Sequence, residues 1–443
     1  MQICQRRIMG RADSRAQLQQ LSLYCLHPDA KLPSSFFQLT ALHTLVLTDA
    51  SALEVPDLAN LTSLTTLLIA SLKLTCEQLS SLVHLRSLTS ISISQVTQVD
   101  DSAALPIAQL PKLRSLDFAG CCPDLFPSEE PSSSVERLLI SQFKDVDIPD
   151  DIAQLLPRLR ELSIRECDCV FELSENFTSL SNLETLIIST CEYFRSLPEN
   201  FGQLPVLKTL VLDGLHIPEL PDSFCQLTSL ETFILTDFGE IEQLPDGFCN
   251  PTSLQTLCII HLDLKEYDFS IPDCIRLPSE LGCDLPQLRQ LRLHITKGLT
   301  ELPETITLLR HLTSLDVEWA SQLASLPDGM GALSRLRRLR LCHCSALQRL
   351  PASLTRLSCL HELNAEETCI RALPPGIAQL TRLRWLDLGE CKQLQVLPEG
   401  LTDLKLLRFL GVKGSETAIG SVSEEQELGF DRMYDLRTDV AGE

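Results

Sequence analysis

The sequence predicts an α/β solenoid, a curved horseshoe with one parallel β-sheet on its concave face and short helical or irregular segments on its convex face. Three observations predict it. The pattern L-x-x-L-x-L starts 17 times, at Leu18, Leu42, Leu64, Leu88, Leu113, Val135, Leu159, Leu183, Leu207, Leu230, Leu254, Leu288, Leu312, Leu336, Leu360, Leu383 and Leu407, with Ile, Phe or Val replacing some leucines. Successive starts lie 22 to 25 residues apart except for one interval of 34, inside the roughly 20–29-residue period of a unit that makes one strand and one return segment. Each unit also switches from strict alternation to a Pro-marked turn, as a strand followed by a return segment requires.

The unit Leu312 to Arg335, "LTSLDVEWASQLASLPDGMGALSR", shows how the residues dictate the coil. Leu315, Asp316 and Val317 alternate apolar and polar, which suits a short strand with one buried face. Leu323 and Leu326 turn back into the interior, Pro327 stops the strand or opens a helical turn, and Met330 and Leu333 form a second apolar wall. One unit buries too little to offset the entropy of ordering itself, so units must stack and cover each other's apolar faces. At about 4.8 Å between strands, the stacked sheet is roughly 75–80 Å long.

Along the chain, residues 1–17 form a short N-terminal segment and residues 18–414 the array of about 17 units, with an insertion near 260–279. Within the insertion, Tyr267, Asp268 and Phe269 suit a lid or a binding loop. Residues 415–443 hold eight acids and two arginines and break the repeat, as an acidic cap or tail would. The array starts without a recognisable cap, so the expectation is a truncated product or a missing N-terminal partner domain.

The units "LPDGMGALSRLRRLRLCHCSALQRLP" and "LPPGIAQLTRLRWLDLGECKQLQVLP" resemble cytosolic plant-type leucine-rich repeats, above all the recognition region of plant nucleotide-binding, leucine-rich-repeat immune receptors. Ras-pathway leucine-rich scaffold proteins are similar to a lesser degree. The resemblance spans about Leu18 to Gly414. It implies a non-enzymatic module that binds a protein through its concave face, in recognition or scaffolding for intracellular signalling or plant-type innate immunity; the alternative is a substrate-recognition subunit or adaptor for an enzyme such as a ubiquitin ligase. No G-x-x-x-x-G-K-[ST] loop is present, so the receptors' nucleotide switch is missing from this chain.

Charge and motifs narrow the function classes further. A net charge of -22 repels phosphate backbones and anionic headgroups, which argues against nucleic acid and membrane as partners. The N-terminus lacks the apolar core of a secretory signal and no run of about 18 apolar residues occurs, so the expected location is the cytoplasm or nucleus. The 18 cysteines are then expected as reduced thiols. Cys121, Cys167, Cys191, Cys344 and Cys391 share position 9 of the repeat, counted from its first leucine, where a small buried residue belongs. Cys169, Cys342 and His343 fall outside the consensus but lack the paired spacing of structural zinc. No nucleophile, phosphate-loop or metalloprotease motif appears, so catalytic residues, metal, cofactor and small-molecule ligand are all expected to be absent.

Positions 2, 3, 5, 7 and 8 of each unit are the candidates for the concave face. Thr185, Thr209, Thr232 and Thr256 repeat at position 3 as a hydroxyl ladder suited to strand structure. Val211, Ile234 and Cys258, beside Ile187, make an apolar stripe that is either an exposed partner patch or covered by the insertion. From Leu288 onward, position 2 is basic (Arg289, Arg337, His361, Arg384, Arg408), positions 7 and 8 carry Glu318, Glu366, Glu367 and Glu390, and position 5 alternates in sign. That surface is either self-neutralising, solvated charge or a partner site. Read as a site, its residues are Arg289, Arg292, Asp316, Glu318, Trp319, Arg337, Arg340, His343, Asn364, Glu366, Arg384, Trp385 and Asp387, with the chain's two tryptophans as anchors.

Overall fold

In a computed structural model, the protein is described at residues 18–24, 38–48, 58–71, 73–74, 80–95, 97–98, 107–120, 131–132, 134–143, 148–238, 241, 243–245, 248, 251–261, 277–283, 285–295 and 298–414. Every predicted start is followed by a strand: β1 (Gln20–Tyr24), β2 (Thr44–Thr48), β3 (Thr66–Ala70), β5 (Ser90–Ser94), β7 (Ser115–Ala119), β8 (Arg137–Ser141), β9 (Glu161–Arg165), β10 (Thr185–Ser189), β11 (Thr209–Asp213), β12 (Thr232–Thr236), β13 (Thr256–His261), β14 (Gln290–Ile295), β15 (Ser314–Glu318), β16 (Arg338–Arg340), β17 (Glu362–Asn364), β18 (Trp385–Asp387) and β19 (Phe409–Gly411). Two further strands, β4 (Lys73–Leu74) and β6 (Thr97–Gln98), pair with each other alone.

The 17 strands form one sheet in which each strand lies parallel to the next. Register follows the sequence repeat without slippage, so position 4 meets position 4 and position 5 meets position 5, as in Leu291↔Leu315↔Leu339 and Arg292↔Asp316↔Arg340. The pairing Thr185↔Thr209↔Thr232↔Thr256 places the threonine ladder in one row. Slipping by one residue would turn every leucine of a strand toward solvent, which fixes the register.

Positions 1, 4 and 6 face the interior and are buried through one continuous core; in the unit from Leu312 these are Leu312, Leu315 and Val317, joined by Leu323, Leu326, Met330 and Leu333. The convex side is built of short 3-10 turns. Pro221, Pro303, Pro327, Pro351 and Pro398 stand at their N-caps, where a missing N–H costs nothing. Turns of neighbouring units stack closely: Gly202, Gly282 and Gly331 each give their N–H to a hydroxyl of the next unit, Ser223, Thr305 and Ser353 respectively. A Cβ at Gly331 would lie 2.3 Å from the Ser353 carbonyl oxygen.

Position 8 leaves the strand in the left-handed region in nearly every described unit, including Gln142, Glu166, Thr190, Trp319, His343 and Glu367. Its N–H still bonds the next unit's position-7 carbonyl, as Trp319 does to Cys342 at 2.9 Å, which offsets the conformational cost of a non-glycine residue there. β13 and β14 depart from this rule. Their strands run one residue longer and pair His261 with Ile295, on either side of the 34-residue unit.

Position 9 is buried as expected, but not always small, since Phe143, Leu215 and Phe238 also occupy it. Cys167, Cys191, Cys344 and Cys391 are fully buried there, and their thiols bond backbone carbonyls, Cys344 to Val317 at 3.2 Å and Cys391 to Ala365 at 3.1 Å. Cys121 lies outside the described residues, as do Tyr267, Asp268, Phe269 and both terminal segments. No helix among the described residues is long and apolar enough to cross a membrane.

Candidate functional site

The concave rows change character along the sheet. Before β13, the position-2 row neutralises itself: Arg114 pairs with Glu136 at 3.1 Å, and Glu184 receives both Arg160 at 3.0 Å and Lys208 at 2.7 Å. The hydrogen bond from Lys208 holds the Glu184 carboxyl below its ordinary value. From β14 on, the row has no acid. Arg289, Arg337, Arg384 and Arg408 are exposed there, and none makes an ion pair with a described residue. His361, in the same row, is held below its usual pKa by burial and by Arg384 and Arg337. One rim is therefore a line of uncompensated positive charge.

Aromatic groups flank this region on both sides. Trp385, at position 3 of β18, stacks on its ladder partner Phe409 with ring centroids 3.8 Å apart and remains 36% exposed; Arg384 and Arg408 immediately precede the two rings in sequence. On the opposite rim, Trp319 stacks on His343 at 3.7 Å and is 43% exposed, while His343 Nδ1 lies 3.1 Å from Glu367. Each tryptophan is rigid on one face and open on the other.

The centre of the sheet is largely satisfied within itself. Arg340 donates to Glu362 at 2.7 Å and Arg338 to the other oxygen of the same carboxylate at 3.0 Å. Asn364 Oδ1 accepts from the Glu366 N–H and Asp387 Oδ1 from the Gly389 N–H, each at 3.0 Å. Burial, with the Asp387 charge next, raises the pKa of Glu366, and burial raises that of Asp387. Two residues read from the sequence as exposed are not: Asp316 and Asn364 are buried. Position 5 sits mid-sheet, where longer side chains of the neighbouring rows close over a short one, so neither presents its side chain to a partner. The apolar stripe is likewise closed, with Ile234, Cys258 and Ile260 buried and Val211 packed against them.

Sequence reasoning missed the group at the centre of β14 and β15. His294 (position 7), Asp316 (position 5) and Glu318 (position 7) come together, each with a donor atom within 4.8 Å of the others. His294 Nε2 lies 3.4 Å from Asp316 Oδ1 and 3.9 Å from Glu318 Oε2. His294 is 5% and Asp316 3% exposed, yet Nε2 and Oδ1 have no hydrogen-bond partner. The other Asp316 oxygen faces Arg292 Nε at 3.9 Å. Burial works to raise Asp316, but the adjacent His294 and the charge of Arg340 outweigh it and hold the carboxyl below its ordinary value. Glu318 goes the other way, pushed up to about 7 by burial and then by the Asp316 charge. The two carboxyls are thus pushed in opposite directions by the same surroundings.

Cys342, one of the thiols outside the consensus, occupies position 7 of the next unit and is buried. Burial and the charges of Glu318 and Asp316 push its pKa well above the usual thiol range. His343 turns away from it to Trp319 and Glu367.

No protein-family model matches the chain, and no curated protein matches it. Solved structures do. A leucine-rich-repeat protein of Leptospira interrogans superposes with a TM-score of 0.62 at 22% identity, covering 92% of this chain and 88% of its own. Toll of Drosophila, in its complex with Spatzle, superposes with a TM-score of 0.62 at 18% identity, covering 90% of this chain and 51% of its own. The fold is a leucine-rich-repeat solenoid.

Proposed function

We propose that this solenoid is a non-enzymatic recognition or scaffold module that binds a protein through the concave face between β14 and β19, in intracellular signalling of the plant-immune type. The observation that carries the reading is the run of unpaired position-2 arginines with exposed Trp385 set among them. Position-2 charges elsewhere find partners on the adjacent strand, so a row that finds none is suited to acidic groups of another molecule. Stacked tryptophans lose little side-chain freedom on binding and, with arginine, have the composition of interface hot spots. Toll in complex with Spatzle, which shares the fold, supports a protein as the occupant. The repeat resemblance supports the immune context, and the cytoplasm or nucleus as the place of action.

Exposure decides which variants test this. Arg384→Glu with Arg408→Glu, and separately Trp385→Ala, change only exposed or half-exposed groups, whereas reversing Arg292 would set a negative charge beside buried Asp316, 3.9 Å from the present guanidinium. Quantitative affinity capture with the folded variants is expected to lose the partners that the wild type retains. Retention of the same partners by both variants would sink the assignment of this rim.

A further inference from the structure

We infer that His294, Asp316 and Glu318 form a binding site for one first-row transition-metal dication, with zinc as its representative, held between β14 and β15. The three donor atoms are spaced as a coordination shell requires. Ligands at about 2.0–2.2 Å in a tetrahedron stand roughly 3.4 Å apart, and His294 Nε2 stands 3.4 Å from Asp316 Oδ1 and 3.9 Å from Glu318 Oε2. The Asp316–Glu318 pair closes the triangle within 4.8 Å. A straight N–H···O bond would satisfy both His294 and Asp316 at such a distance. Instead both atoms are buried without a hydrogen bond, and buried polar atoms are rarely left so.

The surrounding charges leave one side of the cluster for a cation. Arg292 addresses Asp316 Oδ2, which leaves Oδ1 facing His294. Arg340 donates to Glu362 at 2.7 Å, although its charge still reaches Asp316 and Glu318. Two carboxylates and a neutral imidazole would neutralise a dication and leave a coordination position for water or for a group on a partner. An imidazole in the set favours zinc, cobalt, nickel or iron over magnesium and calcium, which take oxygen ligands. The strand register holds the donors in place, since His294 pairs directly with Glu318 in the ladder.

Cobalt(II) is the probe of choice because its visible spectrum separates nitrogen and oxygen donors from thiolates, which matters in a chain with 18 cysteines. The full chain, reduced and stripped with chelator, is titrated with cobalt chloride and, by calorimetry, with zinc chloride. One site with d–d absorption and no thiolate charge-transfer band is expected. Its affinity should fall more than about tenfold in both His294→Ala and Glu318→Gln, with circular dichroism unchanged. Should His294→Ala fail to fold, Glu318→Gln carries the test alone, because that side chain is the least buried of the three and the change is isosteric. Absence of binding to the wild type, binding through thiolates only, or unchanged affinity in Glu318→Gln overturns the site.

Discussion

Replacing Glu318 by glutamine should make the protein more stable at alkaline pH. The Glu318 carboxyl is pushed from an ordinary 4.5 up to about 7 by burial and by the Asp316 charge. Its folded-state pKa is raised, so its contribution to stability is fully present below about 4.5 and is lost as pH rises through about 7. Over that window the unfolded chain releases a proton that the folded chain retains. At about 1.4 kcal/mol per pH unit, the wild type loses up to about 3 kcal/mol relative to a variant that cannot ionise there. Asp316 does not mask this, because its lowered pKa contributes stability that is lost only as pH falls below the ordinary aspartate value. The assay is denaturant unfolding of both proteins in chelator at pH 5 and pH 8.5, with amide exchange of β14 to β16 as the local readout that a solenoid of near-neighbour couplings requires. The two proteins should be alike at pH 5, and the variant should be the more stable at pH 8.5. A stability difference that does not change between the two pH values would refute the burial-plus-Asp316 account.

Two further outcomes follow from the packing. Native alkylation at pH 8 should modify exposed Cys283 while Cys344, buried and with its thiol pushed up to about 12, and buried Cys391 react only after unfolding; site-resolved mass spectrometry reads this, and early labelling of Cys344 would contradict its frame position. Gly331→Ala should destabilise by about 1–3 kcal/mol, because the new Cβ meets the Ser353 carbonyl 2.3 Å away. Unfolded-chain entropy alone predicts a gain of about 0.4–1 kcal/mol, so the sign of the shift in denaturation midpoint decides between them.

The frame was legible in the sequence because it is periodic. Each L-x-x-L-x-L start became a strand, and Cys167, Cys191, Cys344 and Cys391, the described cysteines at position 9, are the buried, carbonyl-bonded thiols that a repeat phase requires. The sorting of charge by rim was legible too, since register is set by the repeat and adjacent units present the same position side by side. Burial within a row was not. Asp316 and Asn364 stand at the same position as half-exposed Arg292 and Arg340, and only the lengths and pairings of their neighbours decide which of them reaches solvent.

His294 was missed for a different reason. Metal and catalytic motifs are read as short spacings along one chain segment, whereas in a stacked sheet the shortest path between side chains runs across the repeat. His294 and Glu318 are one period apart in sequence and directly paired in the ladder. A search at the repeat period for His, Asp and Glu at positions 5 and 7 would have found them. The same region also breaks the coil's regularity, since β13 and β14 are the two strands that run on through position 8 instead of turning there. Immediately beyond it the position-2 row stops pairing with itself and carries no acid, with arginine in four of its six units. Periodicity explains how this chain folds because every unit obeys it. Departures from that period single out one stretch, and in this solenoid the extended strands, the buried donor cluster and the unpaired arginines all lie between β13 and β19.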